Sequence, residues 1–336
     1  MRGGQRGRQG PHLSPFGAFG LMNFLVAFFE NLFYRPRWYH WVVAFLLLPF
    51  SLLYGWVMRL RRALAVPKDL GLPVVSVGNL KVGGSGKTPV TVALAKRYEK
   101  PAVVLRGYGR QSQGLVVVSE WGRVMVDVYQ SGDEAMELAR TLPKATVIVA
   151  EKREEGIAKA RALGAEAVFL DDGFSKVGIK KFDILLCAER LPNRLVLPAG
   201  PLREFYATRK RADLRLVEGR DFARQVTCVG CEGALLLVTA VADPSRLEPF
   251  LPKDRIVGRL VLPDHAWFER VQVEEAMKRS GAQKILATRK DAVKLEALGF
   301  EPALLALEIE LSEAAHERIR AYITGYNSAS KTQERA

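Results

Sequence analysis

Lys87 and Thr88 close the run Lys81-Val82-Gly83-Gly84-Ser85-Gly86-Lys87-Thr88, which lies between an apolar segment (Val74 to Asn79) and a helix-forming one that begins at Pro89. A strand, a glycine-rich turn and a helix in that order make a phosphate-binding loop. Glycines let backbone N–H groups turn inward on a phosphate chain, and the helix start adds the positive end of its dipole. Lys87 then reaches the β- and γ-phosphates of a nucleotide while the Thr88 hydroxyl ligates Mg²⁺. The usual pattern has a glycine five residues before Gly86, and Lys81 stands there. A flexible linker would not be bracketed by a β-branched strand and a helix with proline at its start, so the context decides for nucleotide binding.

Carboxylates come next. Ala167-Val-Phe-Leu-Asp171-Asp172 is an apolar strand ending in two acids. In an open parallel sheet such a strand delivers them to Mg²⁺ or its water shell beside the phosphate loop. Two acidic turn residues before Gly173 would look the same in isolation, and the loop upstream favours the metal. Gly132-Asp133-Glu134 opens a helix. Asp133 reads equally as an N-cap or as a carboxylate that takes a proton from an attacking hydroxyl. Asp264-His265 after Pro263 is either an exposed loop pair or an imidazole oriented and raised in pKa for proton handling. Arg106-Gly-Tyr-Gly-Arg110 ends a strand and offers either a bidentate phosphate clamp or a solvated loop. Leu197-Pro-Ala-Gly-Pro-Leu-Arg203-Glu204 is a rigid turn that delivers a basic and an acidic side chain together. Alone it says little.

The elements that must position these groups follow an α/β pattern. After Pro67 short apolar runs alternate with helices, the sign of a parallel sheet. Strands are expected at Val74–Val77, Ala102–Leu105, Thr146–Ala150, Ala167–Leu170 and Ile184–Cys187, with helices at Thr88–Tyr98, Glu134–Thr141 and Glu151–Leu163. Leu115–Ser119 and Val124–Val128, joined across Trp121-Gly122, read as an inserted hairpin. A charged stretch near Glu218–Arg224 precedes a second alternation. Its strands are expected at Leu235–Thr239, Ile256–Val261, Lys284–Thr288 and Leu304–Leu311, and its helices at Trp267–Arg279 and Ser312–Tyr326. The fold class is therefore α/β: a P-loop, kinase-type parallel sheet domain over 67–229 and a smaller α/β domain over 230–327, with a polar tail at 328–336.

Ahead of the sheet lies an apolar anchor. From Trp38 to Met58 no residue carries a formal charge, and that length approaches the roughly 20 residues a transmembrane helix needs. Aromatic residues stand at both ends, as in interfacial belts. Arg59, Arg61, Arg62 and Lys68 follow and favour a cytoplasmic C-terminal side, although Arg35 and Arg37 flank the other end. Pro49 also permits an in-plane or re-entrant segment, and a buried core helix is the competing explanation. Residues 1–37 form a basic and apolar N-terminal segment. It opens with a Gly/Arg/Gln-rich stretch that reads as disordered, and its Leu21–Tyr34 run suits a helix lying on the bilayer. Residues 38–66 form the anchor with its basic flank.

The chain has 336 residues, is 49% hydrophobic and carries a net charge of +14. That balance suits nucleic acid, an anionic membrane surface or a phosphorylated substrate. Aromatic-interleaved basic motifs are lacking, which sets nucleic acid aside. No obligate protein partner is evident. Three cysteines make no disulfide framework, Cys228-x-x-Cys231 lacks the second pair of a zinc site, and Cys187 reads as a buried thiol. A reducing cytosol fits.

Together these pieces resemble the tetraacyldisaccharide 4′-kinase family, the lipid A 4′-kinases of Gram-negative bacteria. The resemblance runs from Arg-Leu-Arg-Arg-Ala-Leu (59–64) through Val-Gly-Asn-Leu-Lys-Val-Gly-Gly-Ser-Gly-Lys-Thr-Pro (77–89), Leu-Arg-Gly-Tyr-Gly-Arg (105–110), Gly-Asp-Glu (132–134), Leu-Asp-Asp-Gly-Phe (170–174), Leu-Pro-Ala-Gly-Pro-Leu-Arg-Glu (197–204) and Pro-Asp-His (263–265) to Thr-Arg-Lys-Asp-Ala-Val-Lys (288–294). The family tolerates a non-glycine at Lys81. The resemblance implies phosphorylation, by ATP and Mg²⁺, of the 4′-hydroxyl of an anionic glycolipid, a tetraacylated diglucosamine 1-phosphate, to give lipid IVA. It implies an enzyme of the bacterial inner membrane with two α/β lobes on the cytoplasmic side and the site in the cleft between them. Asp133 resembles the family's catalytic base and His265 its partner, with Lys87 and Arg203 also catalytic. Glu134 and Glu204 join Thr88, Asp171 and Asp172 as candidates around the metal. Three departures stand out: Ser175-Lys176 where the family has Gln-His, Ala135 in place of proline, and Ala266 in place of a second histidine.

Two other functions fit parts of the sequence. A membrane-tethered P-loop switch would hydrolyse nucleotide without a lipid acceptor, and Thr288-Arg-Lys-Asp291 faintly echoes a guanine-specificity loop without its leading Asn. A nucleotide-dependent adaptor would need no catalytic acids, yet Asp133, Asp171 and Asp172 are present.

Overall fold

The computed structural model describes residues 15–84 and 86–333. The basic N-terminal stretch, Ser85 and the last three residues lie outside the described residues. The chain divides into two compact units: one made of residues up to 60 with 190–206, the other of 61–189 with 207 onward.

The first unit holds helix α1 (Pro15–Tyr34) and most of helix α2 (Trp38–Leu64). At about 1.5 Å per residue α2 outspans the roughly 30 Å hydrocarbon core of a bilayer, and its mean hydropathy reaches 1.9. Among the described residues it is the one helix long and apolar enough to cross a membrane. Its packed face is a stripe of modest side chains, His40, Ala44, Ser51 and Gly55, while Phe45, Leu46, Phe50, Leu53 and Trp56 are exposed. Exposed apolar area of this extent marks a lipid- or partner-facing surface. The packed stripe receives α1 and the segment 190–206: Leu32, Ala44 and Ala199 form a small core with Phe29, Phe33, Leu47 and Leu195. Thus α1 packs on α2. Gly55 is required by its neighbour, since a Cβ there would lie 2.5 Å from the Phe205 ring. Asn193, fully buried, donates to the carbonyls of Leu32 (3.1 Å) and Ala199 (2.9 Å), and the Ser51 hydroxyl donates to the Val196 carbonyl.

The second unit contains two sheets. Along the chain its elements are β1 (Val74–Gly78), α3 (Lys87–Ala95), β2 (Pro101–Leu105), β3 (Val116–Glu120), β4 (Arg123–Val124), α4 (Val128–Ser131), α5 (Asp133–Thr141), β5 (Thr146–Val149), α6 (Arg153–Ala162), β6 (Ala167–Asp171), β7 (Phe182–Cys187), β8 (Leu214–Val217) and β9 (Phe222–Val229). Then follow β10 (Leu235–Thr239), a 3₁₀ turn (Pro244–Phe250), β11 (Ile256–Val261), α7 (Arg270–Ser280), β12 (Lys284–Thr288), α8 (Arg289–Ala297), β13 (Ala303–Leu311) and α9 (Glu313–Gln333). The larger sheet runs β4-β3-β5-β2-β6-β1-β7-β8, parallel from β5 to β8 with the antiparallel hairpin β3–β4 at one edge. Its central strands are buried on both faces, which is why they read as continuous apolar runs. The smaller sheet runs β11-β10-β12-β13-β9, with β9 alone antiparallel.

Four elements differ from expectation. The second arm of the hairpin, expected over Val124–Val128, is the two-residue strand β4, and Val128 opens α4 instead. The charged stretch at 218–224 runs into β9, which pairs with β13 over eight residues; its alternation of charged and apolar residues reflects one exposed face. Arg289–Ala297, unassigned from sequence, is α8. The polar C-terminal region continues α9 to Gln333, and that helix sets Ile319 and Ile323 into the core of the larger sheet. Cys228 and Cys231 form a disulfide, which corrects the expectation of unpaired thiols. β9 ends beside them and Gly230 reverses the chain at φ +73°, placing the two Cα atoms 5.8 Å apart, within bridging range. Cys187 is a free, half-buried thiol.

Candidate active site

β1 leads through the glycine turn into α3. Gly86 precedes the helix at φ +77°, ψ +26°, a left-handed conformation that a side chain would strain. In β6, the strand beside β1, Asp171 stands opposite Val77. The Thr88 hydroxyl donates to its Oδ2 at 2.7 Å, and Thr91 donates to Oδ1 at 3.5 Å. Lys87 Nζ lies 3.4 Å from Asn79 Oδ1 and 3.6 Å from Asp172 Oδ1. Burial raises the Asp171 pKa above its ordinary value against the pull of Thr88 and Lys87. Burial, then the charge of Asp171, pushes the Glu134 carboxyl up to about 7. Sequence placed Lys87, Thr88, Asp171 and Asp172 together, and the fold does so.

Further cations surround this turn. Arg246, in the 3₁₀ turn, donates to the Gly84 carbonyl at 3.1 Å. The Arg224 guanidinium, on β9, approaches Gly86 closely enough that a Cβ there would sit 2.8 Å away. Burial, together with Arg246, Arg224 and Lys87, lowers the Lys81 ammonium pKa. Such crowding of like charges suits a polyanion. The buried Asn79 Nδ2 has no hydrogen-bond partner, an orphan donor beside Lys87. No three His, Cys, Asp or Glu side chains among the described residues make a ready metal cage. Mg²⁺ needs none, because it is held by one or two carboxylates together with phosphates and water. The donor set therefore fits nucleotide phosphates with their Mg²⁺, through Thr88, Asp171 and Asp172.

The second cluster gathers around Asp133. It is the first residue of α5, not its cap; Gly132 occupies that place without a side-chain bond. The carboxylate is 3% exposed and faces His265, whose Nδ1 lies 3.1 Å from Oδ2 and 3.2 Å from Oδ1. Lys294 Nζ is 3.5 Å and Lys290 Nζ 3.9 Å from Oδ2. Burial raises the Asp133 pKa, but the His265 hydrogen bond and the two lysines outweigh it and hold the carboxyl below its ordinary range. His265 is raised in turn, chiefly by that hydrogen bond. Its backbone takes φ +60°, a left-handed conformation sparsely populated outside glycine and enriched at functional sites.

Lys290 and Lys294, on α8, escaped the sequence reading. Lys294 is 1% exposed and is fixed by the Ala266 carbonyl (3.0 Å) and Asp291 (3.3 Å). Asp291, fully buried, accepts from Thr239 Oγ1 (2.8 Å), the Ala240 N–H (3.2 Å) and Thr288 Oγ1 (2.9 Å). Thr288 caps α8. The stretch with a faint guanine-loop likeness is thus a helix cap and a lysine mount.

Of the remaining candidates, Arg110 is committed to Glu151 and the Gly114 carbonyl, while Arg106 is exposed and stacks on Tyr108 at 5.2 Å. The Tyr108 carbonyl lies against Gly132, 3.0 Å from where a Cβ would stand, so this loop borders Asp133. Arg203 and the buried Glu204 fold with the helical unit, in the turn closed by the Leu197 N–H to Leu202 carbonyl bond of 2.9 Å.

The family model of LpxK, tetraacyldisaccharide-1-P 4′-kinase, matches residues 43–324. The chain belongs to this family. Tetraacyldisaccharide 4′-kinase of Aliarcobacter butzleri is 43% identical over 292 residues, covering 84% of this chain and 92% of that protein. Its counterpart in Helicobacter pylori strain HPAG1 is 42% identical over 300 residues, covering 89% and 96%. A crystal structure of the "apo" form of LpxK from Aquifex aeolicus in complex with ATP is 28% identical, with a TM-score of 0.70, and covers 84% of this chain and 99% of that one. The family's kinases phosphorylate a hydroxyl of a tetraacylated disaccharide 1-phosphate, and the chain is accordingly a phosphotransferase.

Within this 4′-kinase family member the Asp133–His265 contact has a pH signature. The His265 contribution is fully present below its ordinary pKa of 6.5 and is lost as pH rises through the raised value; the Asp133 contribution is present above 3.8 and is lost as pH falls through the lowered value. The attraction therefore spans the acid-to-neutral window between them. Replacing Asp133 with Asn should lower the His265 pKa, since the hydrogen bond and charge that chiefly raise it are lost while Lys290 stays nearby. NMR titration of the imidazole checks this; an unmoved His265 pKa would dissolve the pair.

Proposed function

We propose that the chain transfers the γ-phosphate of ATP to the 4′-hydroxyl of a tetraacyldisaccharide 1-phosphate, forming lipid IVA at the bacterial inner membrane with its sheets on the cytoplasmic side. The observation that carries this reading is the carboxylate–imidazole contact of 3.1 Å at the start of α5, in the same unit as a phosphate loop. Phosphoryl transfer requires positioning and charge neutralisation more than covalent chemistry. Lys87, the loop amides, Lys81, Arg224 and Arg246 hold the polyphosphate. Thr88, Asp171 and Asp172, with Glu134, hold Mg²⁺, which when bound neutralises phosphate charge. Asp133, kept ionised by its neighbours, accepts the proton of the sugar hydroxyl, and His265 orients the carboxylate. Catalytic roles for Arg203 and metal contact for Glu204 rest on the family resemblance. The domains are read as 67–229 for nucleotide and 230–327 for the smaller lobe, with α2 as tether.

Incubation with γ-labelled ATP and the disaccharide lipid tests this. Label is expected in the lipid, dependent on Mg²⁺. Release of labelled inorganic phosphate alone, without lipid labelling, would identify a nucleotide switch instead.

A further inference from the structure

His265 meets a carboxylate at each ring nitrogen. Nδ1 lies 3.1 Å from Asp133 Oδ2, and Nε2 lies 3.8 Å from Oδ2 of Asp264, the preceding residue. A neutral imidazole carries one proton, so the two acids compete for it. The outcome matters at Asp133. With the proton on Nδ1, the ring donates to that carboxylate and holds it in place. With the proton on Nε2, a nitrogen lone pair faces the Asp133 oxygens, repels them and leaves them without their orienting hydrogen bond. In serine proteases, a variant that traps the catalytic imidazole in the wrong tautomer loses roughly 10⁴-fold in kcat.

Lys290, the second residue of α8, stands between the competitors. Its Nζ is 3.0 Å from Asp264 Oδ1, 3.2 Å from His265 Nε2 and 3.9 Å from Asp133 Oδ2. An ammonium has three hydrogens and no lone pair, so the Nε2 beside it accepts and the ring proton belongs on Nδ1. An ionised carboxylate only accepts, so the Asp133 end of the ring asks for the same tautomer. The lysine also engages the acid that pulls the other way, since its bond to Asp264 is shorter than the distance from Asp264 to the ring. Burial pulls the Lys290 pKa down, but the charges of Asp133, Glu134 and Asp264 outweigh it and raise it, so the ammonium stays protonated. Both partners are fixed by backbone. The His265 N–H donates to the Ala240 carbonyl at 3.2 Å, and Thr288 caps α8 by accepting from the Asp291 N–H at 3.3 Å.

We propose that Lys290 is a positioning residue that sets the tautomer of His265: by donating to Nε2 and covering Asp264 it places the ring proton on Nδ1, toward Asp133. Its part in catalysis rests on the kinase reading above; the tautomer itself does not. Lys290 acts through the imidazole and gives up no proton. Without it, Asp264 becomes the stronger acceptor at Nε2 and draws the ring proton away from the buried carboxylate. The same lysine therefore decides whether Asp133 meets the acceptor hydroxyl held by a donor or facing a lone pair.

Ring ¹⁵N spectra of the full chain in neutral detergent micelles, taken on the alkaline side of the His265 titration, read the tautomer directly. The chain has four histidines, and His265→Gln identifies the signal. Wild type should show Nδ1 protonated and Nε2 bare. Lys290→Met, similar in length and uncharged, should move most of the proton to Nε2 and lower kcat roughly ten- to a hundredfold, part of what proton handling contributes, with ADP affinity unchanged. Removing the competing acid as well, in Lys290→Met, Asp264→Ala, should return the proton to Nδ1 and recover most of kcat. A lysine that only supports the fold or neutralises Asp133 gives no such rescue, and an unaltered thermal midpoint excludes misfolding. An Nε2-protonated ring in wild type, or a Lys290→Met ring that keeps its proton on Nδ1, overturns the inference. So does a double variant as slow as Lys290→Met, which would give the lysine a direct role at the transferred phosphoryl group. Wild type that labels no lipid overturns the kinase reading, while the spectra still decide the tautomer.

Discussion

Lys87→Ala should reduce phosphoryl transfer by roughly 10³-fold or more, the scale of removing one preorganised charge from a phosphoryl-transfer site. Lys87 lies between Asn79 at 3.4 Å and Asp172 at 3.6 Å, so its ammonium is already held at the mouth of the turn. The surrounding cations do not substitute for it. Arg246 is bound to the Gly84 carbonyl, and Arg224 is paired with Glu218 at 2.7 Å. The loss should appear at saturating ATP and lipid, since charge developing in the transition state is what goes unpaired. Lys87→Arg, which keeps the charge but not the shape, should recover little. Near wild-type turnover in the alanine variant would sink the phosphate-loop assignment. Circular dichroism of both variants separates that outcome from unfolding, because removing Lys87 also takes a cation from the Asp171–Asp172 pair.

What the sequence made legible was what local chemistry controls. Gly83 to Thr88 announced itself because the strand, the turn and the helix are contiguous, and that context made Lys87 the expected phosphate contact and Thr88 the expected Mg²⁺ ligand. Asp171 was legible because the phosphate loop upstream favoured a metal-side carboxylate over a plain turn residue at the end of the apolar strand β6. Asp133 and His265 are different. They are 132 positions apart, and neither residue's surroundings distinguish a cap or an exposed loop from a proton-handling pair; only the family resemblance joined them. Lys290 and Lys294 carried no signal beyond their place in the family's Thr-Arg-Lys-Asp-Ala-Val-Lys run, since lysines on a short helix look like a solvated face until β10 and β12 bring Thr239 and Thr288 round Asp291 and bury the mount. Arg224 was hidden inside a stretch that reads as a charged linker, because the exposed face of β9 dominates its composition. Pairing with β13 could not be inferred from either strand alone. The disulfide was missed because spacing cannot show that Gly230 turns the chain back on itself.

The double-mutant cycle of Asp133 and His265 asks the sharpest question of the site. Asp133→Ala should lower kcat by roughly 10²- to 10⁴-fold, the typical contribution of general acid–base assistance, with ATP binding largely preserved. The fold should survive the change: Lys294 keeps Asp291 at 3.3 Å and the Ala266 carbonyl at 3.0 Å, and Lys290 keeps Asp264 at 3.0 Å. His265→Ala should also lower kcat, but by a different route. It removes the group that orients the carboxylate, while the two lysines continue to hold Asp133 ionised. If the imidazole acts only through Asp133, it has nothing left to orient once the carboxylate is gone, and the double variant should be little worse than Asp133→Ala. Single-turnover kinetics across pH 5 to 9 on the three variants decides the matter. Fully multiplicative losses would mean that His265 touches the reaction independently, and an unchanged Asp133→Ala rate would return that buried carboxylate to a structural role at the start of α5.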